Sequence, residues 1–273
     1  MNYKLLALDL DGTALSDPNT FAPGLAEAAA QAAAAGCTVA VATGRPSGCL
    51  PADLTPCPAW VSWLVLYDGA EIREAKTGAC IWRKPFSAAS LERISRAAGV
   101  LQIPAEYIDR DSWYHLSEAD SQALGRSGIT DFHKNILALH GCKLNGSAAA
   151  LAGREILKIN MPLAPQELRV SFRDQVGDAA LVMDCGPGGL ELTAPGAGKW
   201  PAVAFLANHL GLTLDDVMAL GDSGNDAALL AAAGLGVAMG NAPDGVKAVA
   251  KAVTGRNTEG GAAQAIHRWL LDA

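Results

Sequence analysis

Long apolar runs, basic clusters, paired cysteines and aromatic residues are all scarce in this 273-residue chain. No segment approaches the roughly 20 apolar residues needed to span a bilayer. Near the start, Leu5-Leu6-Ala7-Leu8 is too short for the core of a signal peptide and runs straight into Asp9. These absences imply a soluble, cytoplasmic protein with no membrane partner. The longest basic run is the pair Arg83-Lys84, and 21 basic against 28 acidic residues leave a net charge of −7. That balance argues against nucleic acid as a partner, because phosphate backbones are held by clustered Lys and Arg. The same charge repels anions at long range, so any phosphate site must be made locally positive by a metal, a lysine or backbone amides. The cysteines, Cys37, Cys49, Cys57, Cys80, Cys142 and Cys185, form no Cys-x-x-Cys pair and no zinc spacing. Reduced, buried thiols are the expectation. Aromatics at 5% and the alanine-rich stretch 26–35 point to helices that pack through small side chains.

What is present suffices for a core, since half of the residues are hydrophobic and 18% are charged. The length allows one large domain or two modest ones. Lys4 to Leu10 is a short apolar run ending in carboxylates, the pattern of a buried parallel strand that opens on a site. A helix is expected from Pro23 to Ala35, closed by Gly36, then a strand over Thr38 to Ala42 and another over Trp60 to Tyr67. This rhythm implies right-handed βαβ units. A hairpin follows, with Ala70 to Arg73 and Ala79 to Trp82 around Lys76-Thr77-Gly78.

From about Lys84 to Leu192 the pattern becomes α+β. Helices are expected at Ser87 to Ala98 and Pro165 to Val176, and strands at Trp113 to Leu116, Ile156 to Met161 and Leu181 to Met183. The parallel-sheet rhythm then resumes. Its helices are Lys199 to Leu210, Asp226 to Ala233 and Gly261 to Leu271, and its strands Val217 to Leu220 and Leu235 to Met239. One domain is thus discontinuous, 1–83 and 193–273, with an insert at 84–192.

Four groups carry chemistry. Asp9-Leu10-Asp11-Gly12-Thr13 places two carboxylates at a strand end, with Gly12 turning the backbone away, or, taken alone, is a pair of solvated acids in a turn. Such a pair needs a cation or a proton to be tolerated where it is partly buried. Thr43-Gly44-Arg45 ends the second strand; a hydroxyl and a flexible amide at a strand-to-helix junction suit phosphate oxygens, or form an ordinary helix cap. Lys199 sits at the mouth of a helix, where a cation is electrostatically unfavourable, so the lysine has a role or is simply exposed. Gly221-Asp222-Ser223-Gly224-Asn225-Asp226 follows another strand with two more carboxylates. Oxygen ligands without His or Cys point to Mg²⁺, or the run is a glycine-rich turn with a helix cap at Asn225. All four groups fall at the edge where open α/β sheets bind ligands.

In these motifs the chain resembles the haloacid dehalogenase superfamily of phosphohydrolases. The resemblance spans roughly 3–82 and 193–273 and is most specific from Val217 to Asn241, a run similar to the Cof-type subfamily. Asp11 and Thr43 lie only 32 residues apart, leaving no room for a cap between them, while Arg45 and Lys199 lie 154 apart. A large insert at that second position resembles the class IIB (C2, type B) cap. The resemblance therefore implies an α/β fold, a Rossmann-like parallel sheet flanked by helices, with an inserted α+β cap.

It further implies a Mg²⁺-dependent phosphomonoesterase acting on a small phosphorylated metabolite, such as a sugar phosphate, through a phosphoaspartate. Asp9 would be the nucleophile, and Asp11 the acid and then the base, for which a partly buried place beside another acid would keep it protonated. Asp9, the Asp11 carbonyl and Asp222 would hold Mg²⁺, with Asp226 a direct or outer ligand. Thr43, Gly44, Lys199 and Asn225 would bind the phosphoryl oxygens.

Two residues depart from the family pattern. Asp68 stands where many relatives have Asn, and would disfavour highly charged substrates or cap the hairpin. Trp200 stands where many have Gly, and would narrow the site or pack in the core. A phosphomutase of the phosphomannomutase type and a non-catalytic regulatory member are the rival readings. In capped relatives the insert selects the leaving group; here Trp113, Tyr114 and His115 would face the site or serve packing. Arg45 would reach a substrate anion or brace its loop.

Overall fold

The computed structural model describes residues 2–17, 20–110, 112–124, 131–144, 146–185 and 189–272. Two units divide the chain. One is built from Met1–Arg45, Leu50–Arg83 and Gly198–Ala273, the other from Pro46–Cys49 and Lys84–Ala197.

The first unit begins with β1 (Leu5–Leu8), a wide turn at Leu10–Ala14 and a small hairpin of β2 (Leu15–Asp17) and β3 (Thr20–Phe21). Helix α1 (Leu25–Ala34), β4 (Thr38–Ala42) and β5 (Trp63–Leu66) follow, then the antiparallel hairpin β6 (Glu71–Glu74) and β7 (Cys80–Arg83).

The second unit runs from α2 (Ala88–Leu101) through β8 (Glu106–Ile108), β9 (Trp113–His115), α3 (Glu118–Leu124) and α4 (Asp131–His140). It continues with β10 (Gly141–Lys143), β11 (Lys158–Met161), α5 (Arg169–Val176), β12 (Leu181–Asp184) and β13 (Leu190–Thr193). The chain returns to the first unit with α6 (Lys199–His209), β14 (Val217–Gly221), α7 (Ala227–Ala232) and β15 (Leu235–Ala238). It closes with α8 (Asp244–Val249), β16 (Ala252–Val253) and α9 (Gly261–Ile266).

The first unit's sheet has the order β16-β15-β14-β1-β4-β5-β6-β7, parallel from β16 to β5 and antiparallel over β6 and β7. Every residue of β1 is fully buried because both faces of the strand are covered. Leu5 and Ala7 share a cluster with Val203 and Leu206 of α6 and with Leu229 and Leu230 of α7. By the alternation of a strand, Leu6 and Leu8 point to the opposite face. From β1 the chain moves to β4 on one side, while β14 lies on the other. The strand order therefore reverses at β1, and the C-terminal tips of β1, β4 and β14 define a crevice.

In the second unit the sheet order is β10-β9-β8-β11-β13-β12. Tyr107, Tyr114, Ile159 and Leu192 on one face pack with Ile94 and Ala97 of α2 and with Phe172 and Val176 of α5. Helix α2 is capped by Ser87, whose side chain accepts a hydrogen bond from the Ser90 amide. The helix expected from Pro165 is instead a single tight turn, Gln166–Leu168, followed by α5.

Two expectations of burial fail. None of the six cysteines is in a disulfide, but Cys80 and Cys185 are exposed, and only Cys37 and Cys49 are fully buried. Trp200 is 46% exposed on the first turn of α6, so it is not a core residue. Among the described residues no helix is long and apolar enough to cross a membrane.

The packing yields a direct test. Leu206 is fully buried between α6 and the sheet, so Leu206→Ala should cost about 2–5 kcal/mol. Val249→Ala, at a 42% exposed position of the same unit, should stay within about 0.5 kcal/mol. Urea midpoints at unchanged slope measure both.

Candidate active site

The tip of β1 carries Asp9, whose amide donates to the Leu220 carbonyl of β14 at 3.1 Å. The chain then reverses through Gly12, which adopts φ 77, a left-handed conformation that glycine reaches without strain. A Cβ there would lie 2.2 Å from Asp222 Oδ2, so only glycine lets this turn pass the tip of β14. Asn241 clamps the same spot, its Nδ2 donating to the Gly12 carbonyl at 2.8 Å and to Asp222 Oδ2 at 3.2 Å.

Lys199 is the centre of charge. As the first residue of α6 it points a buried ammonium at Asp9 Oδ1, 2.6 Å away, and at Asp226 Oδ1, 2.7 Å away. Asp226 is 1% exposed, and its other oxygen accepts from the backbone amides of Asp222 and Ser223, both at 3.0 Å. The carboxylate of Asp226 is thus largely spent on holding Lys199 and the β14 loop.

Burial strips these charges of water, and the titration behaviour follows. Asp9 is raised well above the usual carboxylate range, by burial first and by the Asp226 charge next, with Lys199 opposing. Asp222 is raised to about 6 by burial and then by Asp226. Burial alone would depress Lys199, yet Asp226, Asp9 and Asp68 outweigh it and hold the ammonium well above the ordinary lysine range.

One oxygen from each of Asp9, Asp222 and Asp226 lies within 4.8 Å of the other two. Asp222 Oδ1 is buried and makes no hydrogen bond among the described residues. An orphaned carboxylate oxygen in a cluster where Asp9 and Asp222 are pushed toward protonation fits a hard divalent cation with oxygen ligands.

The remaining sequence candidates distribute as follows. Thr43 is 1% exposed at the tip of β4, and its Oγ1 accepts from the Arg45 amide at 3.1 Å, leaving the hydroxyl hydrogen to donate. No α-helix starts at Thr43-Gly44: the strand ends in a bend before the single turn Ser47–Cys49, so the amides there are not a helix N-terminus. Asp11 also departs from expectation. Its side chain is 56% exposed rather than buried beside Asp9. Arg45, buried, grips it with Nε at 2.8 Å and Nη2 at 2.6 Å. Arg45 therefore braces an acid on its neighbouring loop. Asn225 donates from Nδ2 to Asp68 Oδ1 at 2.8 Å and accepts from Ser223 Oγ at 2.6 Å. Asp68 is fully buried at this contact.

Asn241, and the pairing of Arg45 with Asp11, are site features that motif reading misses. Asn241 closes the family-like run that begins at Val217, but the run gives it no role, and its place just past the tip of β15 among small residues is the other signal in the sequence.

An acid-rich, lysine-centred crevice at the strand reversal of a flanked parallel sheet is the site of an α/β enzyme. The chain belongs to the haloacid dehalogenase-like hydrolases, a family that it matches over residues 6–266. It is 28% identical over 273 residues to the 5-amino-6-(5-phospho-D-ribitylamino)uracil phosphatase YcsE of Bacillus subtilis (strain 168), covering 99% of this chain and 97% of that protein. A solved haloacid dehalogenase-like hydrolase from B. subtilis superposes with a TM-score of 0.80 at 26% identity, covering 98% of this chain and 100% of that one. The HAD subclass IIB sugar phosphatase BT4131 shares the fold at a TM-score of 0.79 and 22% identity, covering 97% and 98% of the two chains.

The raised Asp222 carboxyl has a consequence for stability. Between its ordinary 3.8 and about 6, the folded chain keeps a proton that the unfolded chain has released. Stability must then fall as pH rises through that window and stay low above it. A cation bound only by the folded site restores it. Metal-free wild type should therefore lose melting temperature relative to Asp222→Asn between pH 4.5 and 7.5. Mg²⁺ should raise wild type at pH 7.5 and leave Asp222→Asn nearly unmoved. Melting curves that are parallel with pH and indifferent to Mg²⁺ contradict this assignment.

Proposed function

We propose that this enzyme hydrolyses the phosphomonoester of a small metabolite through a phosphoaspartate on Asp9. The observation that carries the reading is the cluster of Asp9, half-buried Asp222 and Asp226, with buried Lys199 held between Asp9 and Asp226. In this reading residues 1–83 and 193–273 form the hydrolase core and 84–192 the cap. The YcsE relative is named for a ribityl phosphate substrate, which supports a phosphorylated sugar or polyol as the substrate class here.

Asp9, the Asp11 carbonyl and Asp222 would hold Mg²⁺, with Asp226 behind them. When bound, the ion supplies positive charge that offsets the carboxylates and draws in phosphoryl oxygens. Asp9 attacks phosphorus, and the bond to the ester oxygen breaks as the aspartyl phosphate forms. Asp11, which takes up a proton from solvent when substrate binds, gives it to the departing oxygen and later takes one from the water that cleaves the acyl phosphate. Lys199 spends two of its three N–H donors on Asp9 and Asp226, which leaves one for a phosphoryl oxygen. The Thr43 hydroxyl, the Gly44 amide and the Asn225 amide complete the set of donors to the negative charge that spreads in the transition state.

Two outcomes are expected. Across a panel of sugar, polyol and nucleotide phosphates, wild type should release free phosphate only with Mg²⁺, and Asp9→Asn should fall to background. Isomerised substrate without free phosphate would point to a mutase instead. Arg45→Ala should lower turnover of alkyl phosphates by about 10²-fold, the range of general acid catalysis. It should affect p-nitrophenyl phosphate, whose leaving group needs little protonation, less than tenfold, and Arg45→Lys should recover part of the loss. Equal losses on both substrates contradict a role in aiming Asp11.

A further inference from the structure

A fourth carboxylate stands beside this site. Asp68 follows β5 and is fully buried. The backbone around it is unusual: Tyr67, Asp68 and Gly69 have φ 53, 54 and 89, three consecutive residues in the left-handed region. Side chains other than glycine adopt that region at a cost, so the turn is maintained by its surroundings. Those surroundings are the site itself. The Tyr67 amide donates to the Arg45 carbonyl at 3.2 Å, and the Asp68 amide donates to the Thr43 carbonyl at 3.1 Å. On the other side, a Cβ on Gly69 would lie 2.1 Å from the Gly198 carbonyl oxygen, so the turn abuts the residue that opens α6 and presents Lys199.

The carboxylate has two effects. Asn225 Nδ2 donates to Asp68 Oδ1 at 2.8 Å while Ser223 Oγ donates to Asn225 Oδ1 at 2.6 Å. An amide held at both ends has one orientation and one N–H left over. Asp68 also adds negative charge close enough to Lys199 to help hold its ammonium charged. With Asp11 paired to Arg45, the crevice carries four carboxylates, Asp9, Asp68, Asp222 and Asp226, against Lys199 and the two charges a bound Mg²⁺ would bring, an excess of one negative charge. An arriving or departing phosphate meets that excess where little water screens it.

We propose that Asp68 is a positioning residue of the phosphoryl-binding site: its carboxylate orients the Asn225 amide, and its charge loosens the grip on free phosphate so that product leaves. The proposal rests on the phosphatase reading above.

Two variants separate the effects. Asp68→Asn keeps an acceptor for Asn225 and tolerates the left-handed backbone, but removes the charge. Asp68→Gly tolerates the backbone equally and removes both. Binding of inorganic phosphate and of orthovanadate, measured by calorimetry on the Mg²⁺-loaded proteins, needs no turnover. Asp68→Asn should bind both about tenfold more tightly than wild type and lower KM in parallel. Asp68→Gly should bind about tenfold more weakly than Asp68→Asn. Equal affinities in the two variants, or an Asp68→Asn affinity no tighter than wild type, overturn the proposal. If wild type binds neither anion, the phosphatase reading and this proposal fall together, which separates that failure from the first.

Discussion

A lysine ammonium buried among carboxylates is the contact on which this site depends. Lys199 Nζ lies 2.6 Å from Asp9 and 2.7 Å from Asp226, with lysine and both acids almost wholly removed from water. Removing Lys199 would leave both acids buried without a countercharge, which costs several kcal/mol. Their positions come from three separate elements: the tip of β1, the first residue of α6 and the loop after β14. The charges therefore link segments that are nearly 200 residues apart in sequence, Asp9 and Lys199 being separated by 190.

Around that contact the backbone does the rest. Asp226 turns back to accept from the amides of Asp222 and Ser223, fixing the β14 loop, and Asn241 ties Asp222 to the Gly12 turn. What remains unsatisfied is negative: Asp222 has an oxygen with no protein donor among the described residues, and Asp9 is pushed toward protonation by its own burial. A site so constructed is poised to accept positive charge, and a divalent cation is the ligand that its oxygen donors suit.

Much of this was legible in the sequence because parallel strands announce themselves. The apolar runs that end at Asp9, Thr43 and Asp222 place those residues on one sheet edge, and α6 begins at Lys199. The partners were not legible. Nothing local distinguishes an Arg45 that braces Asp11 from one that reaches a substrate, and the buried place of Asp68 depends on the turn meeting both β4 and the start of α6. The second unit was read least well. Glu106–Ile108 is only three residues long, and Leu190–Thr193 shows a single alternation, so neither stands out as a strand. Yet their register gives the sheet a polar row, because Asn160 pairs with both Glu106 and Glu191. Glu106 and the nearby His115 are buried, and side chains that far apart in sequence could not be aligned without the sheet.

The most direct measurement is chemical trapping of the intermediate. Protein quenched in acid during steady-state turnover, then reduced with borohydride, should carry homoserine in place of aspartate at position 9. The account predicts that modification at Asp9 alone, dependent on Mg²⁺ and on substrate. Reduction at a different residue, or continuing phosphate release with no modified residue under conditions that stabilise acyl phosphates, would contradict it.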